Sequence, residues 1–179
     1  TDYDFSIAFD TLQQGANAIS DALFYMDTQT KDSKVKAPLP QANGEDFDEA
    51  KLESQFANIS KENVQNNALA AKAILQAGLD DYLAVKGEQA LATKMISALD
   101  LINSNIVAIT PDFNSVLSAA VASDVTNCIN TEDYTLASND LERLCALQYS
   151  VKEFTDLLKK DFVAVVEFST PSTADGDND

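Results

Sequence analysis

The stretch that decides the fold runs from residue 141 to residue 165 and reads LERLCALQYSVKEFTDLLKKDFVAV. Its apolar residues recur every three or four positions, which places them on one side of an α-helix. They are Leu141, Leu144, Leu147, Val151, Phe154, Leu158, Phe162 and Val165. An apolar stripe of about seven helical turns cannot stay in water, so it has to pack against other helices. The stretch therefore predicts a long helix inside a bundle.

The composition agrees with a helical fold. The chain of 179 residues has 45% apolar residues but only five glycines and four prolines, which favours helices over sheets. Its 29 acidic and 12 basic residues give a net charge of −17, which repels nucleic acid and anionic lipid head groups. We predict an all-α, single-domain bundle of four to six amphipathic helices over residues 1–168.

The first half of the bundle is interrupted by polar stretches. Heptad-like spacing predicts a first helix that ends near Asp27. Residues 28–46 contain charges, proline and glycine and almost nothing apolar, which predicts a long mobile connection. Residues 47–85 have helical character, but serine and asparagine around 60–67 predict a kink there. Gly87 predicts a turn.

The second half shows clearer helix boundaries. Apolar spacing predicts a helix over residues 88–109. Thr110-Pro111-Asp112 then has the pattern of a new helix start, with threonine as the cap. Asn139 followed by Glu142 predicts the cap of the last helix. Residues 169–179 combine serine, threonine and proline with acidic residues, and this composition predicts a disordered tail.

Several features favour a secreted protein. The chain begins at Thr1 without methionine, which fits a removed signal peptide, although a trimmed chain would look the same. Cys128 and Cys145 lie between the last two predicted helices, where they form either a disulfide in an oxidising compartment or two buried thiols. Asn58-Ile59-Ser60 is a glycosylation sequon, and we expect Asn58 to point outward. No apolar run is long enough for a membrane-spanning helix.

No catalytic or metal-binding motif is recognisable. The chain has no histidine, which excludes imidazole-dependent triads, zinc sites and di-iron bundles. Acidic pairs such as Asp80 and Asp81 remain as carboxylate catalysts, but solvated surface acids explain them more simply. We therefore predict a protein that is not an enzyme and that needs no cofactor.

The aromatic and apolar residues on the predicted inner faces allow two interpretations. One is a packed core. The other is a lumen between the helices that holds an acyl chain. The residues that we select for such a lumen, from the helix faces alone, are Phe9, Phe56, Ile74, Met95, Phe113, Leu117 and Phe154.

The run Ala98-Leu99-Asp100-Leu101-Ile102, the later apolar stripe and the Ser/Thr/Pro tail together resemble the fungal hydrophobic-surface-binding protein A family, which includes cell-wall galactomannoproteins. This resemblance spans about residues 5–162. It implies a secreted or cell-wall-associated helical domain that binds apolar surfaces or fatty acids.

Two functions from different classes follow as expectations. The first is a secreted, non-enzymatic protein that holds a long-chain lipid between its helices or attaches to a hydrophobic surface. The second is a secreted protein-interaction module, an inhibitor or an effector, that acts through its outer face.

Overall fold

The computed structural model describes residues 11–40, 45–128 and 134–166, and these residues form a helical bundle without strands. Five α-helices in the described part have ten or more residues, as the sequence predicted. They are α1 (Leu12–Tyr25), α2 (Ser60–Ile74), α4 (Gln89–Ala108), α5 (Phe113–Ala122) and α6 (Asp140–Asp156), and two short helices are α3 (Asp80–Val85) and α7 (Val163–Val166). The predicted tail, residues 169–179, lies outside the described residues.

The last helix occupies the centre of the bundle. α6 continues through a π-helical segment, Leu157–Phe162, into α7. It packs against α4, α5 and the segment that follows α1. Leu144, Leu147, Val151, Phe154 and Leu158 are fully buried, which confirms the predicted apolar stripe.

The prediction of a mobile connection over residues 28–46 is wrong for its first part. The chain continues from α1 as a π-helical segment, Met26–Lys36. We call it the π segment. Its apolar residues Met26 and Val35 are buried, and so are several of its polar residues. The sequence pattern missed it because these buried side chains are charged, which erases the apolar stripe that predicts a helix.

Three charged residues, two from the π segment and one from the last helix, form a cluster between these elements. Asp27 is fully buried, and its Oδ1 lies 3.0 Å from Nζ of Lys31, which is 1% exposed. Its Oδ2 lies 2.9 Å from Nζ of Lys159 in the last helix. We call Asp27, Lys31 and Lys159 the buried charge cluster. Because each carboxylate oxygen faces an ammonium group, the charges compensate one another away from water.

The sequence predicted helical character over residues 47–85, but residues 47–59 do not form an α-helix. They form two short 3₁₀ turns, Glu49–Lys51 and Gln55–Ala57. Ser54 and Asn58 have positive φ angles, which interrupt any helix, so α2 begins only at Ser60. The chain is helical over residues 60–67, where the kink was predicted, and the break lies before residue 60 instead. A further kink occurs at Gly78, whose φ of 129° suits a residue without a Cβ.

The second half of the chain follows its sequence pattern more closely. Gly87 forms the predicted turn with a φ of 86°. Helix α4 begins and ends within a residue of the predicted bounds. Asn139 caps α6, since its side chain accepts a hydrogen bond of 3.0 Å from the Glu142 N–H. The cap of α5 is Asp112 rather than Thr110, because the Asp112 carboxylate reaches the Ser115 N–H at 2.9 Å.

Cys128 and Cys145 form a disulfide, one of the two alternatives that the sequence left open. Their Cα atoms are 5.6 Å apart, and the bridge ties the chain after α5 to the buried side of α6. The cysteines are 17 residues apart in sequence. In the chain-entropy treatment, closing a loop of that size stabilises the fold by about 3 kcal/mol.

Substituting Asp27→Asn removes the carboxylate that both Lys31 and Lys159 face, and leaves the buried Lys31 with the more distant carboxylate of Asp32, at 3.6 Å. We expect the free energy of unfolding to fall by about 3–5 kcal/mol, measured by urea denaturation. The matched control is Asp100→Asn, which breaks the surface pair with Lys72 and should cost less than about 1 kcal/mol. Equal losses in the two variants would contradict the structural role given to the cluster.

Replacing the helix cap Asp112 by alanine should reduce stability by about 1 kcal/mol at neutral pH. Burial raises the pKa of Asp112, but hydrogen bonds from the Ser115 N–H and hydroxyl outweigh it and hold the pKa below the ordinary 3.8. A lowered pKa contributes stability that is complete above 3.8 and disappears as the pH falls through the folded-state value. The difference between wild type and Asp112→Ala in urea denaturation should therefore shrink in acid; a difference independent of pH would contradict this assignment.

Candidate functional site

The candidate site is a groove on the outside of the bundle between α4 and the last helix. The α4 wall consists of Thr93, Lys94, Ser97, Ala98 and Leu101. These residues are spaced four apart in two rows, 93/97/101 and 94/98, so they form one stripe on the helix. The groove has a volume of about 560 Å³, which is within the range of small-molecule sites.

The opposite wall repeats the same spacing on the last helix. It consists of Glu153, Asp156, Leu157, Lys160 and Asp161, in the rows 153/157/161 and 156/160. The last three of these belong to the π-helical segment Leu157–Phe162. A π-helical turn widens a helix and shifts its side chains out of the α-helical register, and such turns are frequent at functional sites.

A second depression of about 340 Å³ extends the groove toward the end of the chain. It shares Lys94, Lys160 and Asp161 with the first and adds Leu91, Ala164 and Val165 among its lining residues. From Leu91 to Leu101 the path along α4 is about 15 Å at 1.5 Å per residue. The combined groove is therefore elongated, with Glu153 and Glu88 toward its two ends and Lys94, Lys160 and Asp161 where the two depressions meet.

The charges of the groove are mixed. Lys160 lies 3.4 Å from Asp156, which also lies 3.7 Å from Lys152. Lys94 has no ion pair among the residues that the structure describes. Glu153 and Asp161 bring further negative charge to the walls. The groove thus offers both an ammonium group and carboxylates to a polar head group, beside the apolar side chains of Ala98, Leu101 and Leu157.

The residues that the sequence selected for a lumen lie elsewhere. Met95, Phe113, Leu117 and Phe154 are fully buried in one continuous core, and Ile74 packs against it partly buried. Phe56 was expected to face inward, and this is wrong, because its side chain is 98% exposed. Ile59 is also exposed, whereas Asn58 points outward as expected. Phe9 lies among residues 1–10, outside the described part.

The sequence analysis did not predict the groove because each wall contains too few apolar residues to form a recognisable stripe on its own helix. One signal was present: Leu101 and Leu157 are apolar but fall outside the buried stripes of their helices. Leu101 is 42% exposed in the structure. An apolar residue out of phase on each of two helices indicates a second, shallow contact surface, but only the packed bundle shows that the two surfaces adjoin.

The described residues contain no cluster of three or more acidic or cysteine side chains arranged to hold a metal ion. Within the same residues, no helix combines the length and apolar character needed to cross a bilayer. No protein-family model, no curated protein and no solved structure matches this chain. The described residues form a helical bundle with an amphipathic groove on its outer surface.

Substitution of Phe154 distinguishes a packed core from a bundle with an internal cavity. In a packed core, Phe154→Ala leaves a cavity and should lower the free energy of unfolding by about 3–5 kcal/mol. Leu101→Ala, in the groove, serves as the control and should cost less than about 1 kcal/mol, because its side chain is half in water. A small loss for Phe154→Ala in urea denaturation would show that Phe154 lines a void.

Proposed function

We propose that this protein is a secreted, non-enzymatic carrier of a single-chain lipid, and that the groove between α4 and the last helix holds the ligand. The observation that carries the proposal is the arrangement of the groove, which places partly exposed leucine and alanine side chains beside Lys94 and several carboxylates. An elongated surface of this kind matches an amphiphile with one acyl chain and one polar head.

The position of the ligand follows from the burial of the core. Met95, Phe113, Leu117 and Phe154 fill the space between the helices, so an acyl chain inside the bundle would have to displace them. The groove needs no such displacement, because Leu101 and its neighbours already face solvent. Covering this apolar surface with an acyl chain would contribute about 25 cal/mol for each Å² removed from water.

The charges of the walls favour one class of head group. Two lysines and three carboxylates line the main depression, and the whole chain carries a net charge of −17. This field opposes a purely anionic head such as that of a free fatty acid. A zwitterionic head satisfies both signs, with its anionic part at Lys94 and its cationic part near Glu153 or Asp161. Lysophosphatidylcholine is a suitable probe.

Secretion is supported by the disulfide, since disulfides persist in oxidising compartments. The position of the groove on the outside of the bundle also agrees with a carrier that binds reversibly. Ligand binding at an external groove leaves the core intact, and therefore requires no opening of the helices.

The proposal is tested by thermal shift and native mass spectrometry with lysophosphatidylcholine, a fatty acid of equal chain length and a long-chain alkylamine. We expect a lysophosphatidylcholine adduct and a rise in melting temperature that grows with ligand concentration, with weaker effects from the fatty acid. Leu101→Asp should abolish both effects. Val107→Asp is the matched control, because Val107 is a 60% exposed residue of the same helix that does not line the groove.

Two results would overturn this function. The first is the absence of any adduct or thermal shift with all three ligands. The second is an equal loss of binding in Leu101→Asp and Val107→Asp, since this would place the ligand outside the groove. Either result would favour the protein-interaction module as the next hypothesis.

A further inference from the structure

Phe56 is a large aromatic residue that the fold keeps in water. It is 98% exposed, the highest value among the large apolar residues of the described chain. It sits in the middle of the 3₁₀ turn Gln55–Ala57, and the residues on either side of that turn, Ser54 and Asn58, have positive φ angles. An exposed aromatic ring in a loop needs no explanation when the loop is irregular, but this turn is well structured.

Several hydrogen bonds hold the turn in place. The carbonyl of Ser54 accepts from the N–H groups of Ala57 and Asn58 at 3.0 and 3.1 Å. The Asn63 amide donates to the Glu53 carboxylate at 3.2 Å and to the Ser54 hydroxyl at 3.4 Å. The fold thus presents Phe56 at a defined position on the surface, as it would for a partner attached nearby.

The nearest chemical feature is the sequon Asn58-Ile59-Ser60, two residues further on. Asn58 is exposed, and its φ of 54° is one that asparagine tolerates better than most residues. Its side-chain Oδ1 accepts a hydrogen bond of 3.3 Å from the Asn114 amide. This bond uses the oxygen of the Asn58 amide and leaves the nitrogen, where an N-linked sugar attaches, outside the contact.

We propose that Asn58 carries an N-linked glycan and that the Phe56 ring is the surface on which its first N-acetylglucosamine stacks. One face of this pyranose presents C–H groups, and these pack favourably on the negative face of an aromatic ring. Stacking would cover the exposed ring and fix the glycan against the turn. The hydrogen bond from Asn114 holds the side chain that carries the sugar.

The attachment follows the ordinary chemistry of a sequon. The Asn58 amide nitrogen bonds to C1 of a lipid-linked oligosaccharide, the diphosphate leaves with the lipid, and the nitrogen loses one proton. In the folded chain the Ser60 hydroxyl is buried and donates to the carbonyl of Glu53. Transfer therefore takes place on the extended chain, before the turn closes. The inference shares with the proposed function only the secretory route and is independent of lipid binding.

The test compares the full chain secreted from a eukaryotic host with the same chain made in a bacterial periplasm, which forms disulfides but adds no such glycan. Intact mass should show one glycan on the secreted chain, located at Asn58 by peptide mapping. After trimming to a single N-acetylglucosamine, Phe56→Ala should lower the melting temperature by about 2–4 °C. In the bacterial protein the same substitution should leave the melting temperature unchanged.

Val85→Ala provides the matched control, since Val85 is another strongly exposed apolar residue away from the sequon, and it should have no effect in either protein. An unmodified Asn58 on the secreted chain would overturn the glycan site. Equal effects of Phe56→Ala in both proteins would overturn the stacking role.

Discussion

The ion pairs of Asp27 with Lys31 and Lys159 constrain the rest of the bundle. A buried carboxylate is strongly unfavourable unless opposite charges reach it, and here one lysine comes from the π segment and the other from the last helix. A shift of either element along the other would separate these three groups. The polar cluster therefore fixes the position of the first part of the chain on the last part, where apolar packing alone would tolerate sliding.

The position of the groove follows from this arrangement. The last helix is covered by the π segment, by α4 and by α5, and its core-facing residues are fully buried. Along the outer border with α4, small side chains such as Ser97 and Ala98 do not fill the space between the helices. A solid core and an open groove then coexist on the same two helices. This is why the proposed ligand lies on the surface of the bundle, and why its binding need not affect the interior.

Helix α4 could be predicted to within a residue from the sequence, and so could the last helix when α6, its π-helical segment and α7 are taken together, because their apolar residues recur at the helical period without interruption. The π segment could not. Its buried residues include Asp27, Thr30, Lys31 and Lys34, which any local pattern assigns to solvent. The prediction for Phe56 was wrong in the opposite sense. Its aromatic side chain was expected inside the bundle, but it lies in a turn between two residues with positive φ angles, Ser54 and Asn58, and faces solvent. Both errors concern residues whose partners are distant in sequence or, for the proposed glycan, outside the polypeptide.

By itself, the sequence determined that this protein is an all-α bundle and that its last helix is central, and it left open whether its two cysteines pair. These properties depend on periodicity and composition, which are local. The tertiary structure alone decided which charges are buried together and where a groove remains. The groove joins residues 93–101 to residues 153–161, and the charge cluster joins residue 27 to residue 159. Such contacts depend on how the helices pack, and no local pattern in the chain encodes that packing.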